Sequence, residues 1–262
     1  MLFRSADGIG TIELAGGGRI IDAYISASNL DAFWNSQTYG DDRIGRANLR
    51  DIITRDASIF RTEIFADTME RVQILGGVFD AVLLQATGDV GFITADEYRN
   101  STLTGTAIEY FPNAIIIDGN LDRLTVNGTS TVVGSLLGTI KDLTVDVVGN
   151  LNTVSASDLT RVSLDVDGTI LSITTSRVRA SNVTAGELRT MTASQSVVSS
   201  TFNISGPINS FTATDSIINT SINVTGPRGR LDLVSAANLI SGSIASAGPI
   251  GTIRTTAGER VH

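Results

Sequence analysis

An eight-residue phrase recurs along the chain about every 20 residues, and this repeat restricts the folds that the sequence is able to adopt. The phrase begins with glycine, places apolar residues at its third and sixth positions, and usually ends in a small or β-branched residue. Its clear copies are GNLDRLTV (from Gly119), GTIKDLTV (from Gly138), GNLNTVSA (from Gly149), GTILSITT (from Gly168), GELRTMTA (from Gly186), GPINSFTA (from Gly206) and GPIGTIRT (from Gly248), with GPRGRLDL (from Gly226) as a degenerate copy. From Gly149 onward the spacings are 19, 18, 20, 20 and 22 residues.

The phrase alternates apolar and polar residues, which is typical of a short strand with one buried face. Strands this short, repeated at such an interval, do not fit a hairpin fold. They fit a coil that turns at each glycine and returns one strand spacing higher, about 4.8 Å along the axis. We therefore predict an all-β fold, a single-stranded parallel β-helix (β-solenoid) with roughly 20-residue coils. Its core would include Ile173, Met191, Phe211 and Ile253.

Two segments interrupt the repeat. Residues 27–46 form a predicted side-loop insertion that contains Phe33 and Trp34, and residues 96–111 form a second break. Neither segment has the composition of a linker, so residues 1–262 are predicted to form one β-solenoid domain. Residues 1–111 are its acidic, aromatic and irregular part, and residues 112–262 are its regular Ser/Thr/Gly-rich part.

The glycine-delimited rungs resemble those of parallel β-helix proteins, in particular bactofilins and long bacterial surface repeat proteins. The resemblance covers most of the chain and rests on a shared pattern rather than on signature residues. It implies the β-solenoid architecture. Similarity to bactofilins would further imply head-to-tail polymerisation into filaments.

Composition argues against several functions. The net charge of −8 disfavours a nucleic-acid partner, which needs a basic footprint. No apolar run reaches 18 residues, so we predict no membrane span. The only histidine is His262, which makes a Ser-His-Asp triad implausible, and no phosphate-binding loop motif occurs. We expect no cofactor, no metal and no catalytic residues.

Three carboxylates form the best candidate for catalysis. Asp165 and Asp167 point the same way from one strand, and Asp146 lies about one coil earlier. β-Helix enzymes that cleave acidic polysaccharides gather aspartates in this way, sometimes with calcium. The preferred interpretation is that these are solvated outward positions, with catalysis and a bound cation as alternatives. Asp41 and Asp42 in the side loop are interpreted as solvated charges.

Six Asn-x-Ser/Thr sequons occur, at Asn100, Asn127, Asn182, Asn203, Asn219 and Asn223. Asn182, Asn203 and Asn223 are predicted at equivalent places on successive rungs. Their apolar neighbours face inward, which favours an outward ladder of stacked side chains. The alternative is glycan attachment to the same three residues in an exported protein.

The two ends of the chain share the sequence Ile-Gly-Thr-Ile, at Ile9–Ile12 and at Ile250–Ile253. Neither is flanked by an amphipathic helix, so both ends read as interior rungs. Either the chain stacks end to end on its neighbour, which generates a filament, or it is a fragment of a longer repeat. The loop around Phe33 and Trp34 either shields the core or binds a partner, including a second copy.

The leading hypothesis is a structural protein, a β-solenoid subunit that assembles head to tail into an extracellular filament or surface layer. Its assembly interface would comprise Ile9, Ile12, Phe33, Trp34, Ile250 and Ile253. A surface rich in Ser, Thr and Asn, together with the sequons, favours an extracellular or cell-surface location with surface glycans. A cytoplasmic scaffold is the alternative.

Two other functions stay open. One is a carbohydrate-active β-helix enzyme, a polysaccharide lyase or hydrolase; the other is a passive stalk or adhesin fragment. Residues 112–262 hold only two aromatic side chains, Phe202 and Phe211, and both are predicted to face inward. The lack of outward aromatics there counts against the enzyme.

Overall fold

The computed structural model describes residues 2–4, 8–15, 19–27, 48–100, 113–126 and 138–256. These residues contain no helix, and about 75% of the structure is strand, in one all-parallel arrangement. The coils hold about 20 residues each. The predicted parallel β-solenoid is therefore confirmed.

The first twelve strands are β1 (Leu2–Arg4), β2 (Ile9–Ala15), β3 (Arg19–Ile21), β4 (Tyr24–Ala27), β5 (Leu49–Arg55), β6 (Ser58–Ala66), β7 (Met69–Leu75), β8 (Val78–Ala86), β9 (Val90–Ala95), β10 (Glu97–Arg99), β11 (Ala114–Ile117) and β12 (Leu121–Val126). The others are β13 (Thr139–Lys141), β14 (Thr144–Val147), β15 (Leu151–Thr160), β16 (Ser163–Arg179), β17 (Asn182–Ala193), β18 (Val197–Val198), β19 (Thr201–Ile204), β20 (Ile208–Ala213), β21 (Ser216–Val224), β22 (Leu231–Ala236), β23 (Asn238–Ser246) and β24 (Ile250–Thr255).

The strand pairings define three faces of the solenoid. The first face stacks β2, β5, β7, β9, β12, parts of β15, β16 and β17, then β20, β22 and β24. The second face begins with β3 and ends with the start of β23. The third face begins with β1 and ends with the last residues of β23. Each coil visits the faces in this order, so strands of neighbouring coils lie directly above one another.

The core is a set of inward columns, one residue per coil. On the first face Val154, Ile173, Met191 and Phe211 stand in register, and all four are buried. Phe202 enters from the third face and meets the Phe211 ring edge-on, with the ring centroids 4.7 Å apart. The predicted core positions Ile173, Met191 and Phe211 are therefore confirmed, as is the inward direction of both late phenylalanines.

The corner between the second and third faces is left-handed, and residues other than glycine form most of it. Ten non-glycine residues have positive φ, and all of them except Asp56 lie at this corner. Arg161, Ala180 and Ser199 are examples, and each donates its backbone N–H to a carbonyl of the next coil at 2.9–3.0 Å. A left-handed residue other than glycine is disfavoured by about 1–2 kcal/mol, and these inter-coil hydrogen bonds offset that strain. The coil was predicted to turn at glycine, and at this corner residues of other types adopt the left-handed conformation instead.

The glycines of the repeated phrase serve a different purpose, at the corner between the third and first faces. Gly119, Gly149 and Gly168 stack directly, with the Gly168 N–H donating to the Gly149 carbonyl at 3.1 Å. A Cβ atom on Gly168 would lie 2.5 Å from that carbonyl oxygen. The repeat therefore keeps glycine here because successive coils touch backbone to backbone.

Two copies of the phrase are placed differently from the prediction. The copy from Gly138 does not lie on the first face, because Thr139–Lys141 is on the second face and Thr144–Val147 on the third. The degenerate copy is shifted, since Leu231 is the residue in register with Ile208 and Ile250. The phrase in that coil is GRLDLVSA from Gly229, which fits the repeat without a defect.

The insertions lie at the corners. The chain leaves the third face after Ala27 and returns to the first face at Leu49, where the next coil makes the same connection with only Asp67 and Thr68. This agrees with the predicted insertion near residues 27–46. The second break begins later than predicted, because Glu97–Arg99 is a paired strand. A third interval between strands, residues 127–137, lies outside the described residues and was not predicted.

Candidate assembly surfaces and polar rows

The last described coil exposes residues at positions that are buried in the coils between it and the first coil. Ile250 and Ile253 stand in register with Leu231 and Val234, both fully buried. Because no strand of the described residues covers β24 on its other side, the two isoleucines are each 43% exposed. Ile253 was predicted in the core, and its position is inward, but it lies at the open edge of the ladder.

The first coil carries the matching positions. Ile9 and Ile12 stand in register with the buried residues Leu49 and Ile52, and they pack against the core while staying partly exposed. Leu14 joins them. The Ile-Gly-Thr-Ile sequences at both ends of the repeat therefore occupy the same two inward columns of the first face.

Phe33 and Trp34, the other predicted assembly residues, lie outside the described residues, as do Asp41, Asp42, Asn127 and His262. Their predicted roles are not tested. The described part of the chain contains no helix long and apolar enough to cross a bilayer.

Ion pairs link successive coils, and sequence reasoning did not find them. Six pairs join an acid in one coil to an arginine in the next: Glu13–Arg55, Asp22–Arg61, Asp51–Arg71, Asp80–Arg99, Asp142–Arg161 and Asp158–Arg177. Glu13–Arg55 and Asp22–Arg61 are 42 and 39 residues apart because they span the first insertion, and the other four pairs are 19–20 residues apart. The coil register is therefore needed to find them. Glu13–Arg55 and Asp22–Arg61 are exposed at both partners and contribute up to about 1 kcal/mol each, whereas the acid of each other pair is only 1–19% exposed.

Asp51 is a buried acid that two arginines contact. Its carboxylate accepts hydrogen bonds from Arg71 at 3.0 Å and Arg50 at 3.1 Å. The hydrogen bond from Arg71, with a further contribution from Arg50, lowers the pKa of Asp51 despite the desolvation that raises it. This pair reinforces the stacking of β5 under β7.

The acidic residues singled out from the sequence do come together. Asp146 and Asp165 stand in register on the outward side of the third face. Asp167 and Asp118 lie close enough for their charges to act on Asp146. Among the described residues no group of acids and histidines has the arrangement of a metal site. No arginine or lysine of the described part forms an ion pair with Asp146, Asp165 or Asp167.

Desolvation, followed by repulsion from Asp165, Asp167 and Asp118, raises the pKa of Asp146. A carboxyl whose pKa is higher in the folded than in the unfolded state binds its proton more readily when folded. Ionisation of Asp146 therefore lowers the free energy of unfolding as pH rises through its folded-state pKa. At acid pH the carboxyl is protonated and this repulsion is absent.

We expect Asp146→Asn to raise the unfolding midpoint at pH 7, because the substitution removes the charge that its neighbours repel. The gain should vanish below the usual aspartate pKa of about 3.9, where the parent carboxyl is protonated as well. Urea unfolding of both chains across this pH range measures the effect. Asp122→Asn is a control on the first face, away from the cluster. A gain that persists unchanged in acid would contradict the electrostatic cause.

Only two of the three predicted ladder asparagines stack on each other. The Asn223 side-chain amide donates to Asn203 Oδ1 at 3.0 Å, and the two residues are in register. Asn182 is displaced, since it pairs with Thr201, and Thr184 occupies the column of Asn203. The prediction of a three-residue ladder was therefore wrong for Asn182. Glycan attachment at Asn182, Asn203 and Asn223 stays a prediction.

A second polar ladder lies where the third face meets the first. Asn150 donates its backbone and side-chain N–H groups to Asn120 Oδ1 at 2.8 and 3.1 Å. Asn120 makes the same two bonds to Asp89 Oδ1, at 2.7 and 2.9 Å. The sequence signal was present, because Asn follows the glycine of the phrase in both coils, but it was not recognised.

The fold and these surfaces define the chain as a β-solenoid repeat protein with stacked polar rows outside and one continuous apolar core inside. No model of a known protein family, no curated protein and no solved structure matches the chain. The resemblance to bactofilins is therefore not confirmed, and the parallel β-solenoid fold is what the structure supports.

Proposed function

We propose that this protein is a structural subunit whose solenoids stack end to end into a filament or surface layer. The observation that carries the proposal is the exposure of Ile250 and Ile253 at inward positions of the last described coil. An uncovered ladder edge beside apolar core residues is a template for further strand pairing. The matching positions Ile9 and Ile12 at the other end supply a surface that continues the same columns. Contact between unlike ends does not close on itself, so it extends indefinitely.

A catalytic function has less support. Polysaccharide cleavage by paired carboxylates is favoured by the raised pKa of Asp146 beside Asp165, which is a feature of general acids. It also needs a basic partner for an acidic glycan, and the described ion pairs provide none at this cluster. The acidic row is better explained as a solvated strip of the third face, and the proposal assigns the protein no enzymatic role.

We further propose an extracellular or cell-surface location. Asn203 and Asn223 lie on the outward side of the third face, and Asn182 is exposed in a neighbouring column. Glycans on these residues would project sideways from the rod and leave both ends clear. A cytoplasmic scaffold would have the same stacking but no glycans. Mass spectrometry for glycans on the native protein therefore distinguishes the extracellular location from the cytoplasmic one.

The test of assembly is electron microscopy of the purified chain beside the variant Ile250→Asp/Ile253→Asp. We expect filaments from the parent chain and separate short rods from the variant, because two charges at the open edge disfavour its burial. Ile240→Asp is the matched control: Ile240 is 50% exposed on β23, the strand before β24, but points outward from the second face. Filaments should survive that change. Separate rods from all three chains would refute end-to-end assembly and favour a passive stalk.

A further inference from the structure

We infer that the end-to-end contact has one defined register, in which β24 of one copy pairs in parallel with β2 of the next and places Thr252 opposite Thr11. The inference rests on the proposed assembly and specifies its partner, a second copy of this chain, and its geometry. Three features of the structure support it: the columns that the two strands occupy, the charges beside them, and the order of the faces.

The two strands are interchangeable members of the first-face ladder. Ile9 and Ile250 belong to one inward column, and Ile12 and Ile253 belong to the next. Thr11 and Thr252 share the outward column between them. Continuing the ladder by one coil from β24 to β2 therefore stacks isoleucine on isoleucine twice and threonine on threonine once. A slip of one residue would turn the isoleucines toward solvent, so it is strongly disfavoured.

Charge distinguishes this register from a slip of two residues. In the next outward column Arg254 of one copy would lie opposite Glu13 of the other, since Glu13 and Arg254 belong to the same column. Arg254 is exposed and forms no ion pair with any described residue. Glu13 is half exposed although it pairs with Arg55 of the coil above, so it has room for a second arginine. A two-residue slip would place Arg254 beside Thr11 or Ala15 instead.

The third face continues in the same step. In every coil the third-face strand directly precedes the first-face strand, as the end of β23 precedes β24. At the start of the chain β1 precedes β2 in the same way, and it pairs with β4 as a third-face strand. One rise of a coil therefore places β1 over the end of β23 while β2 covers β24. The backbone positions of Phe3 and Ile244 then share one column, through Ile25 and Ile222.

The register is testable with cysteines because the chain has none of its own. The variant Thr11→Cys/Thr252→Cys places the two thiols on adjacent parallel strands, with Cα atoms about 4.8 Å apart across the junction, within disulfide reach. Within one copy the two positions lie at opposite ends of the stack, so an internal bond does not form. We expect oxidation of the assembled protein to give a ladder of covalent multimers on a non-reducing gel.

The matched control is Ala15→Cys/Thr252→Cys, which offsets one thiol by four residues and leaves Glu13 and Arg254 in place. The offset adds about 13 Å along the strand, which separates the Cα atoms by roughly 14 Å and prevents the bond. Thr11→Cys and Thr252→Cys alone serve as controls for contact between like ends. Each of these three variants should stay monomeric on the gel.

The outcomes separate this inference from the proposed function. Multimers from the matched pair alone support the register. Filaments in the microscope without multimers, equal cross-linking of the offset pair, or dimers from a single-cysteine variant would overturn the register and leave end-to-end assembly standing. A parent chain without filaments, whose matched pair also gives no multimers, would overturn both.

Discussion

Replacing Phe211 by alanine is expected to lower the free energy of unfolding by about 3–5 kcal/mol. Phe211 is fully buried, contacts Phe202 edge to face at 4.7 Å, and stands between Met191 and Val234 in one inward column. The solenoid has little freedom to close the resulting cavity, because strand spacing is fixed by the hydrogen bonds between coils. Most of the lost volume should therefore remain empty.

Urea unfolding followed by far-ultraviolet circular dichroism measures this effect. Ser210→Ala is the control, because Ser210 lies next to Phe211 on the same strand but faces outward. It should change the free energy by no more than about 0.5 kcal/mol. Coils contact only their neighbours, so a broadened transition in the Phe211 variant would show that the solenoid unfolds in parts. Equal effects of the two substitutions would contradict the packing described for the core.

The second large effect is expected from Gly168→Ala, a single added methyl group on the repeated phrase. Its Cβ would lie 2.5 Å from the Gly149 carbonyl oxygen and 2.6 Å from Asn150 Oδ1. Backbone occupies the space on that side, so the coils must separate locally or the Asn150 side chain must leave its hydrogen bond to the Thr169 N–H. We expect a loss of about 1–3 kcal/mol, as for other overpacked sites.

Gly10→Ala provides a control of the same chemistry in a first-face strand. No atom lies within 4 Å of a Cβ built at Gly10. Alanine there should leave the stability unchanged or raise it by about 0.4–1 kcal/mol, since it restricts the unfolded chain. Thermal unfolding of the two variants beside the parent gives the comparison. If Gly168→Ala were as stable as Gly10→Ala, close stacking of the coils would not be the reason for glycine in the phrase.

The architecture could be predicted from sequence because one physical constraint dominates it. A core shared by stacked coils demands an apolar residue at the same place in each coil, and that demand leaves a period in the sequence. The period is clear in β17 and β20, where Leu188 aligns with Ile208 and Met191 aligns with Phe211. Strand periodicity then fixes which side chains point inward, as Phe202 and Phe211 show.

The phase of the repeat was harder to predict because two different corners look alike in sequence. Gly138 opens a phrase of the expected form, yet it begins a second-face strand and has a positive φ of 74°. Gly149 opens a first-face strand and is needed for close contact instead. The three residues inserted before Gly229 moved another copy out of step. A register error of the same kind led to the wrong prediction that Asn182 shares a column with Asn203 and Asn223.

Features that depend on three-dimensional register were out of reach of sequence reasoning. The acid–arginine pairs join residues 19–42 positions apart, with a separation that changes at each insertion. The left-handed corner is filled by Asp, Arg, Ala, Ser and Asn, so no residue type marks it. The inward positions of the terminal isoleucines could be predicted because both Ile-Gly-Thr-Ile segments fit the repeated phrase. Their exposure is seen only in the strand pairing of the described residues, which leaves one edge of each terminal strand uncovered.

The uniform register of the first face has a consequence for the size of the molecule. From Leu151 through Ile170 and Leu188 to Ile208, each coil presents the same inward column to the coil on either side. A gene that gains or loses one whole coil would therefore change the rod by a single increment of about 4.8 Å and leave both ends as they are. The length of the rod and the residues at its two ends are therefore able to change independently of each other, and the length changes only in steps of one coil.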